Sequence, residues 1–397
     1  MAEHLKRRIG LGLLTAYGVG VMVGAGIYVL VGAVAGDAGI WAPLSFLLAG
    51  VIAAPTALSY AELSTRFPEA AGEAAYVGQG LNSQALALLV GLAIVMVGAI
   101  SAAAVLRGGV GYLAGVIDVP FNVAVIGLGL ALTAVAVIGV MESLALAAVF
   151  TVIEVLGLVL VVWAGGQADP VADWQAPPTI IWSGVGAGAV LAFFAFIGFE
   201  DIVNMAEEVA HPERVLPRAI LISLILTTLI YTAVAVAAVR AVPQGVLAAS
   251  EQPLVLVWQA GQGGSGRFLS LVAVIAALNG VLAQIVMASR VLFGIGRRSA
   301  VLSMFHHAHP RFGTPVLASL VIGGAVIFGA VALQVGVLAE VTSSILLAVF
   351  VLVNIALIVL KRRDPGAPAF RVPMAVPVVG AVLSAGALVA NFQGGLS

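Results

Sequence analysis

The chain has 397 residues, of which 62% are hydrophobic and 9% are charged, and its mean hydropathy is +1.18. A soluble domain could not bury that much apolar surface, so the composition excludes a water-soluble enzyme and predicts an integral membrane protein. Cysteine is absent, which excludes disulfides and thiol chemistry.

Eleven apolar segments are each long enough to cross the roughly 30 Å hydrocarbon core of a bilayer. Their residues are continuous and rich in alanine, valine, leucine and glycine, without the alternation that a barrel strand requires, so we predict an all-α fold. The predicted spans are residues 9–35, 41–63, 83–106, 119–138, 143–165, 179–206, 217–239, 268–295, 314–334, 337–360 and 374–391.

The basic residues predict an orientation. If the N-terminus is cytoplasmic, fourteen of the 17 lysine and arginine residues fall on the cytoplasmic side, and only Arg107, Arg240 and Arg267 fall outside. Short cytoplasmic loops carry an excess of basic residues, so this bias favours a cytoplasmic N-terminus. We expect the membrane to be the cytoplasmic membrane of a prokaryote.

Glycines crowd the centre of the first span, in GVGVMVGAGIYVLVGAVAG (residues 18–36). Each glycine costs about 1 kcal/mol against alanine inside a helix, so the segment specifies a backbone conformation. Close helix packing is one interpretation. The other is an interrupted helix, whose exposed backbone groups at membrane depth would bind a ligand.

The sixth span carries a second interruption. Gly198 lies between phenylalanines and is followed at once by Glu200 and Asp201. Carboxylates near the bilayer centre imply a cavity, a partner or an earlier end of the hydrophobic layer. These two acids either mark a water-filled vestibule or act in gating or substrate binding. Interrupted helices five spans apart indicate a transporter made of two inverted halves with its site at the midplane.

The chain resembles a known family, the amino acid, polyamine and organocation transporters. Within that family it resembles the bacterial amino acid permeases and the cationic amino acid transporters. Five stretches carry the resemblance in the order that the family has them: GVGVMVGAGIYVLVG (18–32), AELSTRFPEAAGEAAYV (61–77), FFAFIGFEDIVNMAEEVAHPERVLPRAI (193–220), LNGVLAQIVMASRVLFGIGRRSAVL (278–302) and HPRFGTP (309–315). The family usually has twelve spans, so the eleven predicted here imply that the last peripheral one is missing.

The resemblance implies one transmembrane domain with two inverted five-helix repeats, residues 9–165 and 179–360, and an extra helix at 374–391. Helices 1 and 6 would be unwound at mid-membrane, and helices 3, 8 and 10 would line the pocket. The energy for transport would come from an ion gradient.

The resemblance also implies the binding residues for an amino acid. Backbone amides at the start of the second half-helix would bind the carboxylate: Gly24, Ala25, Gly26 and Ile27. Free N–H groups and the positive end of a helix dipole suit that role. Carbonyls at the ends of the first half-helices would bind the ammonium group: Val21, Met22, Phe196 and Ile197. Phe196 and Phe199, which flank Gly198, would close the pocket or pack on the substrate side chain.

Glu154 is an acid in a fully apolar stretch of the fifth span. In some proton-coupled relatives a lysine lies at or near this position, so the glutamate departs from the pattern. We consider three roles: a proton carrier, a sodium ligand, or a structural acid that ties helix 5 to helices 1 and 8. Asn279 and Gln284 in the eighth span either face the pocket or form hydrogen bonds between helices.

No phosphate-binding loop, metalloprotease motif or nucleophile motif is present, so we predict neither an enzyme nor a metal site or cofactor beyond a coupling proton or sodium ion. The expected partners are a small amino acid and the lipid bilayer, with no nucleic acid. We predict secondary, proton-coupled symport of neutral, apolar or small amino acids by alternating access. A carrier or exchanger of cationic amino acids or polyamines and a sensor that binds without transport are the alternatives.

Overall fold

The computed structural model of the chain describes residues 9–23, 26–67, 72–138, 144–206, 209–296, 299, 301–363 and 368–394. These residues are predominantly helical and contain no strand, only an isolated bridge between Ile9 and Val209. The helices of the first half are α1 (Leu11–Val23), α2 (Gly26–Ala38), α3 (Ala42–Arg66), α4 (Gly72–Gly80), α5 (Gln84–Ala114), α6 (Phe121–Ile138) and α7 (Leu144–Gln167).

A short helix, α8 (Ala172–Gln175), lies between the fifth and sixth spans, and 3₁₀ turns occur at Gly39–Trp41, Glu200–Met205 and Ser303–Phe305. The remaining helices are α9 (Trp182–Ala195), α10 (Pro212–Ala241), α11 (Gln244–Ala248), α12 (Pro253–Gln262), α13 (Arg267–Gly296), α14 (Val316–Ala332), α15 (Val335–Arg363) and α16 (Ala375–Gly394).

The predicted all-α membrane fold is confirmed. Among the described residues, 8 helical segments are long and apolar enough to cross a membrane, and α1, α14 and α16 are shorter apolar helices. Helices α2 and α3 run on through the 3₁₀ turn at Gly39–Trp41 as one segment of 41 residues, so the first two predicted spans meet there. The division of the chain into repeats at 9–165 and 179–360 stays a prediction.

Spans five positions apart in the chain pack against each other: α3 on α10, α5 on α13 and α6 on α14. Two five-span halves related by a pseudo-two-fold axis would produce this pairing. Small residues allow the close approach. A Cβ on Gly109 of α5 would lie only 2.4 Å from the Cβ of Ala277 in α13, so the two backbones are nearer than larger side chains would permit.

The sixth span is interrupted, as predicted, and continues after α9 as the 3₁₀ turn Glu200–Met205. The first span is described as two helices, α1 and α2, and the interruption predicted between them, at Gly24 and Ala25, lies outside the described residues. Helix α2 packs along α9, whereas α1 packs on α7 and α10. The end of α1 and the start of α2 therefore lie beside the interruption of the sixth span in the interior of the helix bundle.

Candidate functional site

The start of α2 lies against the end of α9. A Cβ built on Gly26 would be 2.8 Å from the Cα of Ala195 and 3.1 Å from its Cβ. Backbone atoms cannot yield as a flexible side chain can, so only glycine permits this contact. Gly24 and Ala25, the other predicted amide donors before α2, lie outside the described residues.

Tyr231 of α10 joins the two interrupted spans. Its hydroxyl lies 2.6 Å from the carbonyl oxygen of Met22 and 2.9 Å from that of Ala195. Both carbonyls are among the last of their helices, and such groups have no partner within the helix itself. One buried phenol thus holds the C-terminal ends of α1 and α9 at a fixed separation.

The interruption in the sixth span is stabilised by local contacts. Gly198 has a φ of +127°, a value that side chains rarely adopt, and its N–H donates to Oε2 of Glu200 at 3.0 Å. A Cβ on Gly198 would lie 2.7 Å from Cγ1 of Val21 and 3.1 Å from the backbone nitrogen of Met22. The backbone of the sixth span therefore packs directly on the end of α1.

A small cavity of about 30 Å³ lies at this junction. Its walls come from α1, α2, the end of the sixth span's first half, α5 and α13, and they are mostly apolar. The lining residues are Val21, Met22, Gly26, Ser101, Val105, Phe194, Ile197, Gly280 and Gln284. Four of the residues predicted for the binding site, Val21, Met22, Gly26 and Ile197, thus surround one cavity.

Other predicted site residues lie nearby without lining the cavity. Ile27 is fully buried in the core. The ring of Phe196 packs edge-on against Tyr231, with ring centroids 5.2 Å apart, and Phe199 packs on Tyr60 and Phe350. In this arrangement both phenylalanines support the interruption, and Phe194 supplies the aromatic wall.

Glu200 and Asp201 are both buried, with 3% and 6% of their surface exposed. Glu200 is held by the backbone of Gly198. Oδ2 of Asp201 accepts a hydrogen bond from Nε2 of Gln284 at 3.4 Å, which links the sixth span to α13. In this arrangement neither acid lies in an open vestibule.

Glu154 is fully buried on α7. The hydroxyl of Thr151, one turn earlier, donates to the carbonyl of Ala16 in α1 at 3.2 Å. The hydroxyl of Tyr28 in α2 donates to the backbone carbonyl of Glu154 at 2.8 Å. Glu154 therefore lies where α7 passes both halves of the first span.

Sequence reasoning missed several lining residues: Ser101, Val105, Phe194 and Gly280. Ser101 is a polar residue in the middle of a predicted span, and that signal would have identified it. Asn279 is half-buried, and its neighbour Gly280 lines the cavity instead. Helix α15 contributes no lining residue from its described part, although the family resemblance implied one.

A further buried acid, Glu73 of α4, lies outside the membrane spans and was also missed. The hydroxyl of Tyr60 lies 3.4 Å from its Oε1. Burial, together with the negative charge of Asp201, raises the pKa of Glu73 to about 7, although hydrogen bonds from its own backbone and from Tyr60 oppose the rise. Glu73 therefore changes its protonation near neutral pH, beside the sixth-span acids.

Comparisons with known proteins give the family that the sequence matches. Residues 9–396 match the model of a family described as amino acid permease. A branched-chain amino acid permease of Bacillus subtilis is 29% identical over 95% of this chain and 86% of its own length. A methylthioribose transporter of the same organism is 30% identical, over 86% of this chain and 78% of its own length. A chloroplastic cationic amino acid transporter of Arabidopsis thaliana is 30% identical, over 78% of this chain and 58% of its own length.

Proposed function

Because the chain belongs to the amino acid permease family of the amino acid, polyamine and organocation superfamily, we propose that it is a secondary active transporter of neutral, apolar or small amino acids. The family makes it a multi-pass membrane transporter and not an enzyme. The proposal includes alternating access and proton-coupled symport. It also places the protein in the cytoplasmic membrane of a prokaryote, with the N-terminus inside.

The observation that carries the proposal is the cavity between the two interrupted spans. A zwitterion needs donors for its carboxylate and acceptors for its ammonium group. The start of α2 at Gly26 offers the positive end of a helix dipole. The end of α1, at Val21 and Met22, offers the negative end. Opposite helix ends on one small cavity therefore suit the backbone of an amino acid.

The walls favour a neutral substrate of modest size. Val105, Phe194 and Ile197 supply apolar surface, and the only polar side chains among the lining residues are Ser101 and Gln284. Neither Glu200 nor Asp201 is among the lining residues, so no carboxylate side chain lines the cavity to pair with a cationic substrate. The relatives include a branched-chain amino acid permease and a cationic amino acid transporter, and the walls of this cavity favour the neutral class.

Uptake into proteoliposomes tests the proposal. Purified protein is supplied with a panel of labelled neutral, cationic and acidic amino acids and with a polyamine, under separately imposed proton and sodium gradients. We expect accumulation of small neutral amino acids driven by the proton gradient. Binding without accumulation would favour a sensor, and uptake of the polyamine alone would overturn the proposed substrate class.

Glu154 is proposed as the proton carrier, because it lies buried where α7 passes both halves of the first span. We expect Glu154→Gln to abolish proton-driven accumulation while it retains exchange of labelled for unlabelled substrate, since the amide keeps the shape and cannot release a proton at neutral pH. Val152→Ala, on the exposed face of α7, is the control and should retain accumulation. Full proton-driven uptake by Glu154→Gln would exclude this role.

A further inference from the structure

Two of the residues that line the cavity are glycines, Gly26 and Gly280, and they differ in what surrounds them. A Cβ on Gly26 would collide with the backbone of Ala195, so helix packing requires that glycine. A Cβ on Gly280 of α13 would have one neighbour within 4 Å among the described residues, Cγ1 of Val105, at the ordinary van der Waals distance of 3.6 Å. Helix packing therefore does not require a glycine at position 280.

Glycine at the contact of α5 with α13 has a different setting. A Cβ on Gly98 of α5 would lie 3.0 Å from the Cβ of Ala288 in α13, and a Cβ on Gly109 would lie closer still to the Cβ of Ala277. Both glycines let the two helices approach each other. Gly280 belongs to the same pair of helices, but its Cβ position has no such close contact.

The backbone of Gly280 gives no other reason for the residue. Gly280 lies near the middle of the 30-residue helix α13 and is not among the glycines with a positive φ. Alanine is more favourable than glycine in the interior of a helix, so an alanine here would cost nothing in packing and would favour the helix. What glycine provides at this position is space toward the cavity.

That space lies in the apolar part of the lining. Val105 of α5 is its neighbour, and Phe194 and Ile197 of the sixth span supply further apolar surface. The end of α1 and the start of α2 suit the charged backbone groups of an amino acid. The side chain of such a substrate is then left to the walls from α5, α13 and the sixth span.

The cavity is small enough for one methyl group to matter. Its volume of about 30 Å³ corresponds to about one or two water molecules, so the walls must separate before an amino acid can enter. A methyl group added at Gly280 would take a large share of the space that the closed arrangement leaves. In a hydrophobic pocket, one methylene group more or less changes discrimination by roughly 10- to 200-fold.

Resting on the transport function proposed above, we propose that Gly280 is a specificity-determining residue that leaves room beside Val105 for a branched aliphatic side chain. The substrate class is that of valine, leucine and isoleucine. A single methyl group at position 280 would exclude these side chains and still admit alanine.

Gly280→Ala tests this role through the ratio of KM values for valine and alanine, measured by uptake into proteoliposomes. We expect the wild type to transport both amino acids. In Gly280→Ala, KM for valine should rise about tenfold, while KM for alanine stays unchanged. Gly294→Ala is the matched control, because Gly294 is exposed on the same helix and nothing lies within 4 Å of its Cβ position. This control should leave the ratio unchanged.

A second substitution enlarges the same space from the other side. Val105→Ala removes two methyl groups next to position 280, so adding it to Gly280→Ala should restore most of the affinity for valine. Thermal unfolding in detergent separates an effect of size from a folding defect. Without substrate, Gly280→Ala should unfold at no lower temperature than the wild type. Stabilisation of the purified protein by added valine or alanine gives a readout of binding that does not depend on transport.

The outcomes distinguish this inference from the proposed function. An unchanged ratio in Gly280→Ala, or equal rises of KM for valine and alanine, would overturn the inference, while uptake of neutral amino acids would still support the proposed function. A wild type that transports alanine and not valine would overturn the inference in the same way. If no neutral amino acid is bound or transported, the proposed function itself fails.

Discussion

Gly198 has a backbone conformation that a side chain would strain. Its φ is +127°, and it packs on the backbone nitrogen of Met22 in α1. The sixth span can be interrupted here because the residue has no Cβ and because Glu200 accepts the N–H that the interruption frees. One glycine thus sets both the local conformation and the distance between the two interrupted spans.

Substituting this residue tests that role. We expect Gly198→Ala to lower the free energy of unfolding by roughly 1–3 kcal/mol and to reduce uptake strongly, because the methyl group must displace the end of α1. Gly186→Ala in α9 is the matched control, since nothing lies within 4 Å of its Cβ position. Thermal unfolding in detergent and uptake in proteoliposomes measure the two effects. Equal unfolding midpoints for both variants would contradict the strain argument.

At the scale of elements, a buried ion-pair network ties α3 to α15. Glu62 of α3 is fully buried, and its two oxygens lie 2.8 Å from the guanidinium of Arg66 and 2.6 Å from Nζ of Lys361. The backbone of Val372, which precedes α16, donates to Glu62 and accepts from Lys361. Helix α3 therefore meets, at one carboxylate, the end of α15 and the segment before α16, and Val372 of that segment lies 310 positions from Glu62.

Removing one partner of a buried ion pair leaves the other charge uncompensated. We expect Lys361→Met to lower the free energy of unfolding by about 3 kcal/mol, and Arg362→Met, an exposed neighbour, to have little effect. Thermal unfolding in detergent measures both. Unchanged stability of Lys361→Met would mean that the network does not hold these helices together.

At the scale of the whole molecule, the predicted orientation has a direct test because the natural chain has no cysteine. Val301 is 84% exposed between α13 and α14, and Ala176 is exposed after α8. A cytoplasmic N-terminus places Val301 inside and Ala176 outside. We expect a membrane-impermeant thiol reagent to label Ala176→Cys in intact cells and Val301→Cys only after permeabilisation. The reverse pattern would invert the topology, and the unlabelled natural chain is the control.

The sequence by itself determined the all-α membrane fold and the approximate bounds of the long spans. A span in lipid must be apolar over its own length, whatever its neighbours are, so hydropathy alone identified α5, α10 and α13. The sequence also indicated where the sixth span is interrupted, because Gly198 and the adjacent acids, Glu200 and Asp201, are local signals in the chain. Val21, Met22, Gly26 and Ile197 were predicted as binding residues from the family resemblance, and in the structure they line one cavity.

Only the tertiary structure decided which side chains face the cavity. Ser101, Phe194 and Gln284 come from three helices, and whether each faces the cavity, a neighbouring helix or lipid depends on how those helices rotate and pack. The same is true of Tyr231, which meets the carbonyl of Met22 across 209 positions of the chain. Apolar helices in a membrane give little sequence signal of rotation, because lipid and protein interior are both apolar. The contacts between helices carry that information, and they form only in the fold.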